Sequence, residues 1–121
     1  MKVKIVRVED KQDIAARIVQ SGNKPVLPLL TDGWQFNFKT NTKKEKLSTY
    51  ILVCEETAET IEGCLSFKMK YTNEPYMAYV EIAPHNKGSK RRYDHVAGCL
   101  IAFARRLQIG RSTLYRKLGE L

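Results

Sequence analysis

Apolar and polar positions alternate at the start of the chain. In residues 2–8, Val3 and Ile5 alternate with Lys4 and Val6. A period of two residues places successive side chains on opposite faces of an extended chain, so this segment predicts a first strand.

The spacing then changes over residues 9–22. Acidic residues come first, and apolar side chains follow at positions that suit one face of a helix, namely Ile14, Ala15, Ile18 and Val19. Gly22 is a common helix terminator. We therefore predict a helix directly after the first strand.

Residues 23–46 show no sustained period. Two prolines and the turn pair Asp32 and Gly33 predict a long connection. Its alternating aromatic residues predict a short extended piece at Trp34, Phe36 and Phe38. The lysine-rich end of the connection, residues 43–46, is predicted to be a solvated loop.

Three segments rich in β-branched and aromatic residues follow at 49–56, 60–72 and 75–84. Each predicts a strand, and the third ends at Pro84. Because the joints between them are short, the three strands are predicted to form an antiparallel meander.

A helix is predicted after the basic segment that follows Pro84. Apolar residues recur there at steps of three and four, at Val96, Cys99, Leu100, Phe103, Ala104 and Leu107. This stripe is typical of a helix that lies on a sheet. The predicted fold class is therefore α+β, with a mainly antiparallel sheet and helices packed on it.

Composition narrows the class of protein. The 121 residues correspond to one domain, and 43% hydrophobic with 28% charged residues is the balance of an ordinary soluble protein. No apolar run reaches the roughly 20 residues of a membrane-spanning helix. The N-terminus lacks the apolar stretch of a signal peptide, so a cytoplasmic location and no membrane partner are expected.

The cysteines and histidines show no metal-binding pattern. Cys54, Cys64 and Cys99 are far apart, and neither His85 nor His95 has a partner at ligand spacing. We expect free thiols and no metal.

Positive charge is concentrated in the last third of the chain. Residues 85–121 hold nine Lys or Arg against two Asp or Glu, whereas residues 1–84 hold twelve against eleven. The net charge of +8 therefore belongs mainly to the C-terminal part. Such a local cationic surface suggests an anionic partner, such as a phosphorylated cofactor or a nucleic acid.

The basic segment joins a strand to a helix. The first-turn amides of a helix and its dipole favour an anion, and Lys87, Lys90, Arg91 and Arg92 surround this helix start. Gly88 lets the backbone approach a ligand closely. The pattern fits a pyrophosphate or phosphate monoester; the alternative interpretation is a solvated basic turn.

The order of elements from about residue 49 to residue 107 resembles the GNAT family of N-acetyltransferases. Its acyl-CoA signature, Q/R-x-x-G-x-G/A, aligns with residues 92–97. Arg92 matches the opening position and Ala97 the closing one, while His95 stands where the central glycine is expected. Residues 61–63, Ile-Glu-Gly, also resemble the start of a strand in that family.

The resemblance implies acetyl-CoA as co-substrate and acetyl transfer to an amine. The strand edge at Glu81, Ile82 and Ala83 would pair with the pantetheine arm. Amides from Lys90 to Ala97 would hold the pyrophosphate, and Lys87 or Arg91 the 3′-phosphate. The implied cofactor-binding residues are Ile82, Ala83, Lys87, Gly88, Lys90, Arg91, Arg92, Tyr93, Asp94, His95, Val96 and Ala97.

Acetyl transfer needs a base for the attacking ammonium. The resemblance suggests Glu81, acting through water; the alternative is an ordinary strand glutamate or a partner of Lys68. Trp34 and Phe36 would line the acceptor pocket, although alternating aromatic residues are more often core. Tyr93 and His95 could donate to the thioester or phosphate, or only cap and pack the helix. Cys99 is assigned no nucleophilic role.

The C-terminal segment supports a second hypothesis. Residues 102–121 resemble the helix-turn-helix of Fis-like bacterial regulators, with residues 112–118 as recognition helix. Ser112 would cap that helix, and Arg111, Arg116 and Lys117 would contact DNA phosphates. Gln108 stands where the turn usually has glycine.

The GNAT resemblance also implies a further strand, helix and two strands after the acyl-CoA helix, whereas only residues 108–121 follow. We therefore divide the chain into a GNAT-like domain, residues 1–107, and a C-terminal helical extension, residues 108–121. The expectation is a truncated, frame-shifted or minimal version, completed by a partner or inactive. A third hypothesis is a non-catalytic remnant that forms a homo-oligomer through an open sheet edge.

Overall fold

The computed structural model describes residues 1–22, 25–70 and 74–107. Within these residues, the helices and strands are, in chain order, β1 (Lys2–Arg7), β2 (Gln12–Gln20), α1 (Phe38–Lys44), β3 (Ser48–Cys54), β4 (Gly63–Lys70), β5 (Glu74–Ile82), β6 (Tyr93–Asp94) and α2 (Val96–Arg106). Short 3₁₀ turns lie at Leu30–Asp32, Glu55–Thr57 and Pro84–Asn86.

The strands form one six-stranded sheet in the order β5-β4-β3-β2-β1-β6. Every neighbouring pair is antiparallel. The predicted α+β class with an antiparallel sheet is confirmed, as are the meander of β3, β4 and β5 and the helix that begins at Val96. Among the described strands, β5 lies at one edge, and β6 closes the other edge by pairing Tyr93 and Asp94 with β1.

The predicted helix over residues 9–22 is wrong, because this segment forms β2. Ala16 and Ile18 are buried on one face of the sheet, and Arg17 between them is exposed. Ile14 and Ile18, which fit the helical period, thus also fit a period of two together with Ala16. β-Branched side chains favour the strand, as does pairing with β1 over residues 12–17 and with β3 over residues 16–20.

The connection before β3 is also more ordered than predicted. The predicted extended piece is wrong, because residues 34–37 form no strand and Phe38 begins α1. The lysines at 43 and 44 belong to that helix and not to a loop. The Asn37 side chain accepts a hydrogen bond from the Thr40 N–H at 3.0 Å and caps the helix.

Apolar layers cover both faces of the sheet. On one face, α2 packs Leu100, Phe103 and Ala104 against the strands. On the other face, the connection packs Trp34 and Phe38 over β3 and β4. Gly63 of β4 allows α2 to approach closely, since a methyl group there would lie 2.9 Å from Val96 Cγ1.

No helix among the described residues is long and apolar enough to span a membrane. The predicted C-terminal extension and recognition helix, residues 108–121, lie outside the described residues.

Candidate functional site

The joint between β5 and α2 is held in one conformation by hydrogen bonds. Pro84 opens a 3₁₀ turn, and the Lys87 N–H donates to the Pro84 carbonyl at 3.1 Å. The buried Asn86 side chain donates to the Glu62 carbonyl and accepts from the Tyr93 N–H, each at 3.0 Å. Asn86 therefore fixes the two ends of the basic loop to each other and to the sheet.

A cleft of about 570 Å³ opens at the N-terminal end of α2. Among the residues that line it are six of the predicted cofactor-binding residues: Ile82, Tyr93, Asp94, His95, Val96 and Ala97. We call it the helix cleft. The other predicted residues do not line it: Lys87, Gly88, Lys90, Arg91 and Arg92 lie in the adjoining loop, and Ala83 lines a second cleft.

Only part of the predicted amide cradle is available to a ligand. The Arg92 N–H donates to the His85 carbonyl at 2.9 Å, the Tyr93 N–H to Asn86, and the His95 N–H to the Asp94 carboxylate at 3.0 Å. The N–H groups of residues 96–98 have no acceptor among the described residues, as is usual for a first helical turn. Within the first turn of α2, these three amides remain for an anion.

His95 precedes α2 in a left-handed conformation, with φ of 70°. This region of backbone conformation favours glycine. It occurs at the position that the resemblance aligns with the central glycine of the GNAT signature.

The charges at the helix cleft are mixed. Lys90 and Arg92 are exposed and form no ion pair with any described residue. Arg91 lies 3.4 Å from the Asp94 carboxylate. The His95 N–H, together with the charge of Arg91, lowers the pKa of Asp94. Asp94 is therefore ionised at neutral pH. Its negative charge repels a bound anion, whereas the neighbouring cations attract it.

Glu81, the predicted base, is buried on β5, with 1% of its surface exposed. Its carboxylate accepts from the Gln35 N–H at 2.8 Å, from the Phe36 N–H at 2.9 Å and from Lys87 Nζ at 2.6 Å. Lys87, one of two cations predicted for the 3′-phosphate, is thus paired with Glu81. Lys68, which the alternative interpretation gave as the partner of Glu81, is not among the groups bonded to Glu81.

Trp34 and Phe36, the predicted acceptor-pocket residues, belong to the aromatic layer over the sheet. Trp34 meets Phe38 edge to face at 5.8 Å, and Phe36 packs on Tyr79 at 5.1 Å between ring centroids. Trp34 also lines a cleft of about 370 Å³ together with Ala83, Pro84 and His85. We call it the tryptophan cleft.

The sequence interpretation missed a buried carboxylate at the start of β4. Glu62 is fully buried and lies 2.6 Å from His85 Nε2. It also accepts from Asn86 Nδ2 at 3.0 Å and from the Thr57 hydroxyl at 3.0 Å. The signal in the sequence was a charged residue between Ile61 and Gly63, in an otherwise apolar segment.

A second set of polar contacts lies beside Glu62. The Tyr93 hydroxyl donates to Glu56 at 2.5 Å, and Glu56 is paired with Arg7. Burial, followed by the bond to Glu56, raises the pKa of the Tyr93 hydroxyl above its ordinary value. Tyr93 therefore serves as a neutral donor that joins the end of the basic loop to the Glu55–Thr57 turn and, through Arg7, to β1.

Another cleft, of about 740 Å³, lies elsewhere. It opens on the face of β1 and β2 and is lined by Lys2, Lys4, Ala15, Arg17 and Val53 among others. It contains none of the predicted site residues.

The thiols and the metal-ligating side chains add no site. Burial raises the pKa of Cys64 well above its ordinary value, and partial burial raises the pKa of Cys99. Both are neutral thiols at pH 7 and therefore weak nucleophiles. The described part of the chain holds no group of three His, Cys, Asp or Glu side chains arranged for a metal.

Comparison with protein-family models, with curated proteins and with solved structures finds no match to this chain.

Proposed function

We propose that this protein binds a CoA thioester, with acetyl-CoA as the expected form, and transfers its acyl group to an amine. The observation that carries the proposal is the helix cleft, which gathers six predicted cofactor-binding residues around the three free amides of α2. The proposal also has the support of the left-handed backbone at His95, where the family signature calls for glycine.

In this proposal the helix cleft holds the pyrophosphate. The amides of residues 96–98 donate to its oxygens, and the unpaired side chains of Lys90 and Arg92 balance its charge. Arg91 is available for the 3′-phosphate because its contact with Asp94 is long, at 3.4 Å. The outer side of β5 has no described strand partner, so it can accept the pantetheine arm as an added strand.

Calorimetric titration with CoA tests the proposal directly. The double variant Lys90→Ala/Arg92→Ala should bind at least tenfold more weakly, a loss of about 1.4 kcal/mol. Asp94→Asn should bind more tightly, because it removes a negative charge from the cleft. Arg105→Ala, at the far end of α2 and equally exposed, is the matched control and should bind as wild type does.

Pantetheine, which has no phosphate, separates the two halves of the cofactor. It should bind more weakly than CoA and should not respond to the Lys90→Ala/Arg92→Ala change. No detectable CoA binding, or equal binding by wild type and the double variant, would overturn the proposal.

A further inference from the structure

The tryptophan cleft lies beside a histidine that a buried carboxylate holds in place. His85 follows β5 in the 3₁₀ turn, and its side chain is 36% exposed, whereas that of Glu62 is not exposed at all. The 2.6 Å contact joins His85 Nε2 to Glu62 Oε1. Because an ionised carboxylate accepts only, the ring donates through Nε2–H.

The donated proton determines what the other ring nitrogen can do. With Nε2 protonated, the neutral ring carries its lone pair on Nδ1. Nδ1 forms no hydrogen bond with any described residue. One nitrogen of His85 thus donates to a carboxylate, and the other is free to accept a proton. The carboxylate would then stabilise the imidazolium.

The lining of the tryptophan cleft favours a cation. Asp32 and Glu59 are exposed acids in this lining, and none of the described lining residues is Lys or Arg. This contrasts with the net charge of +8 for the whole chain. Trp34 and Val26 add an apolar wall. A wall of this kind together with acidic groups suits an ammonium carried on an apolar skeleton.

The tryptophan cleft and the helix cleft share one wall. Asn86 lines the helix cleft and His85 lines the tryptophan cleft, and both donate to the same Oε1 atom of Glu62. The pair of residues that separates the two clefts is therefore fixed by a single buried carboxylate.

We propose that the tryptophan cleft binds a primary amine with an apolar skeleton and that His85 is its base. The inference rests on the proposed function, since it names the acceptor class for that acyl transfer. His85 Nδ1 takes the proton from the ammonium, and the amine nitrogen forms a bond to the thioester carbonyl carbon. The nitrogen of the tetrahedral intermediate releases its second proton to solvent. The carbon–sulfur bond then breaks, the electron pair leaves on the CoA thiolate, and the imidazolium returns its proton to that sulfur. Glu62 is a positioning residue in this scheme.

Binding of the amine can be measured without any CoA, because Trp34 is the only tryptophan in the chain. We expect its fluorescence to change on titration with phenethylamine, and 2-phenylethanol to bind at least tenfold more weakly, because the alcohol lacks the charge. Glu59→Gln should weaken phenethylamine binding at least threefold. Glu9→Gln, also exposed but in the β1–β2 turn, should bind as wild type does. Equal affinity for the amine and the alcohol would overturn the inference.

The role of His85 is tested on the ring and on the reaction. Nitrogen-15 spectra of the His85 ring should show the proton on Nε2 and an unprotonated Nδ1; the opposite tautomer would contradict the assignment. His85→Gln should slow acyl transfer to phenethylamine by roughly a hundredfold or more with CoA affinity unchanged. Glu62→Gln keeps an acceptor for Nε2–H but removes the charge, so kcat should fall while KM for the amine changes little.

The two proposals fail in different ways. Absence of CoA binding in the calorimeter rejects the acyl-transfer function and, with it, the reaction assigned to His85. CoA binding together with full transfer activity in His85→Gln rejects only the inference about the base. CoA binding without a Trp34 response to phenethylamine rejects only the inference about the acceptor.

Discussion

Two buried glutamates near the same end of the sheet are held in different ways. Glu81 accepts from two backbone N–H groups and an ammonium, and none of these three donors can become an acceptor. Glu62 accepts from a hydroxyl, an imidazole and an amide side chain. A hydroxyl and an imidazole can also accept a hydrogen bond, so a donor introduced at position 62 could be satisfied there, whereas a donor introduced at position 81 could not.

This difference supports the proposal that Glu81 is structural and that Glu62, through His85, takes part in the proposed reaction. The hydrogen bonds of Glu81 all hold Lys87 and the segment 34–38 in place. Glu62 instead fixes a half-exposed ring that still has a free nitrogen. The GNAT resemblance favoured Glu81 as the base, whereas the hydrogen-bond partners favour the proposed pair of Glu62 and His85.

The same conservative change should therefore affect the two sites unequally. In Glu81→Gln, the new NH₂ group faces Lys87 and the Gln35 N–H, which are also donors, so it has no acceptor. The unfolding free energy should therefore fall by about 2–4 kcal/mol. In Glu62→Gln, the oxygen can still accept from His85 and Asn86 while the NH₂ donates to the Thr57 hydroxyl. The unfolding free energy of Glu62→Gln should therefore fall by no more than about 1 kcal/mol.

Denaturant unfolding of the two variants and of Glu59→Gln as an exposed control measures the contrast. Equal losses of unfolding free energy at the two buried positions would show that the ability of the partners to accept a hydrogen bond has no effect on stability.

A smaller effect is expected where α2 meets β4 beside Glu62. Gly63→Ala places a methyl group 2.9 Å from Val96 Cγ1 and 3.0 Å from Leu100 Cδ1, which should reduce the unfolding free energy by about 1–3 kcal/mol. Gly98→Ala, on α2 with nothing within 4 Å of the new group, is the matched change. It should raise stability by about 0.5–1 kcal/mol, since alanine favours a helix over glycine.

Thermal melts of both alanine variants distinguish these outcomes. A Gly63→Ala protein as stable as wild type would show that the close approach of α2 to β4 is not required.

The smallest expected effect concerns pH on the Glu81 side of the sheet. The Tyr79 hydroxyl donates to Glu45 at 2.6 Å, and this bond, followed by burial, raises the pKa of Tyr79 to about 12. The folded protein therefore retains this proton where the unfolded chain, with a pKa near 10, has lost it. The stabilisation is complete below pH 10 and is lost as pH rises towards 12.

Chemical denaturation at pH 9, 10 and 11 checks this sign in wild type and in Tyr79→Phe. The difference in stability between the two should shrink as pH rises. A constant difference would show that Tyr79 does not titrate differently in the folded protein.

Sequence patterns predicted the three central strands and α2 because their apolar residues fit one period. They failed at residues 12–20, where Ile14 and Ile18 fit the helical period and also fit, with Ala16, a period of two. There the choice depends on pairing with β1, which lies earlier in the chain and is not visible in a local window.

The candidate site, too, could be predicted only in part from the sequence. The cations and the helix start could be located from local sequence. The partnership of Glu62 with His85 could not, because it depends on a loop that folds back across 23 residues. Asn86, which determines that return, gave no signal beyond its place after a proline.

The pairing of β6 with β1 has a consequence for how the site is assembled. Val8 N–H donates to the Arg92 carbonyl at 3.0 Å, so the basic loop is joined to a strand more than eighty residues earlier in the chain. Contacts of such sequence separation close late, since the entropy of a long loop is lost before the contact forms. We therefore expect the helix cleft to be among the last parts of the molecule to form during folding, and the amides of Val8 and Tyr93 to exchange their hydrogens together.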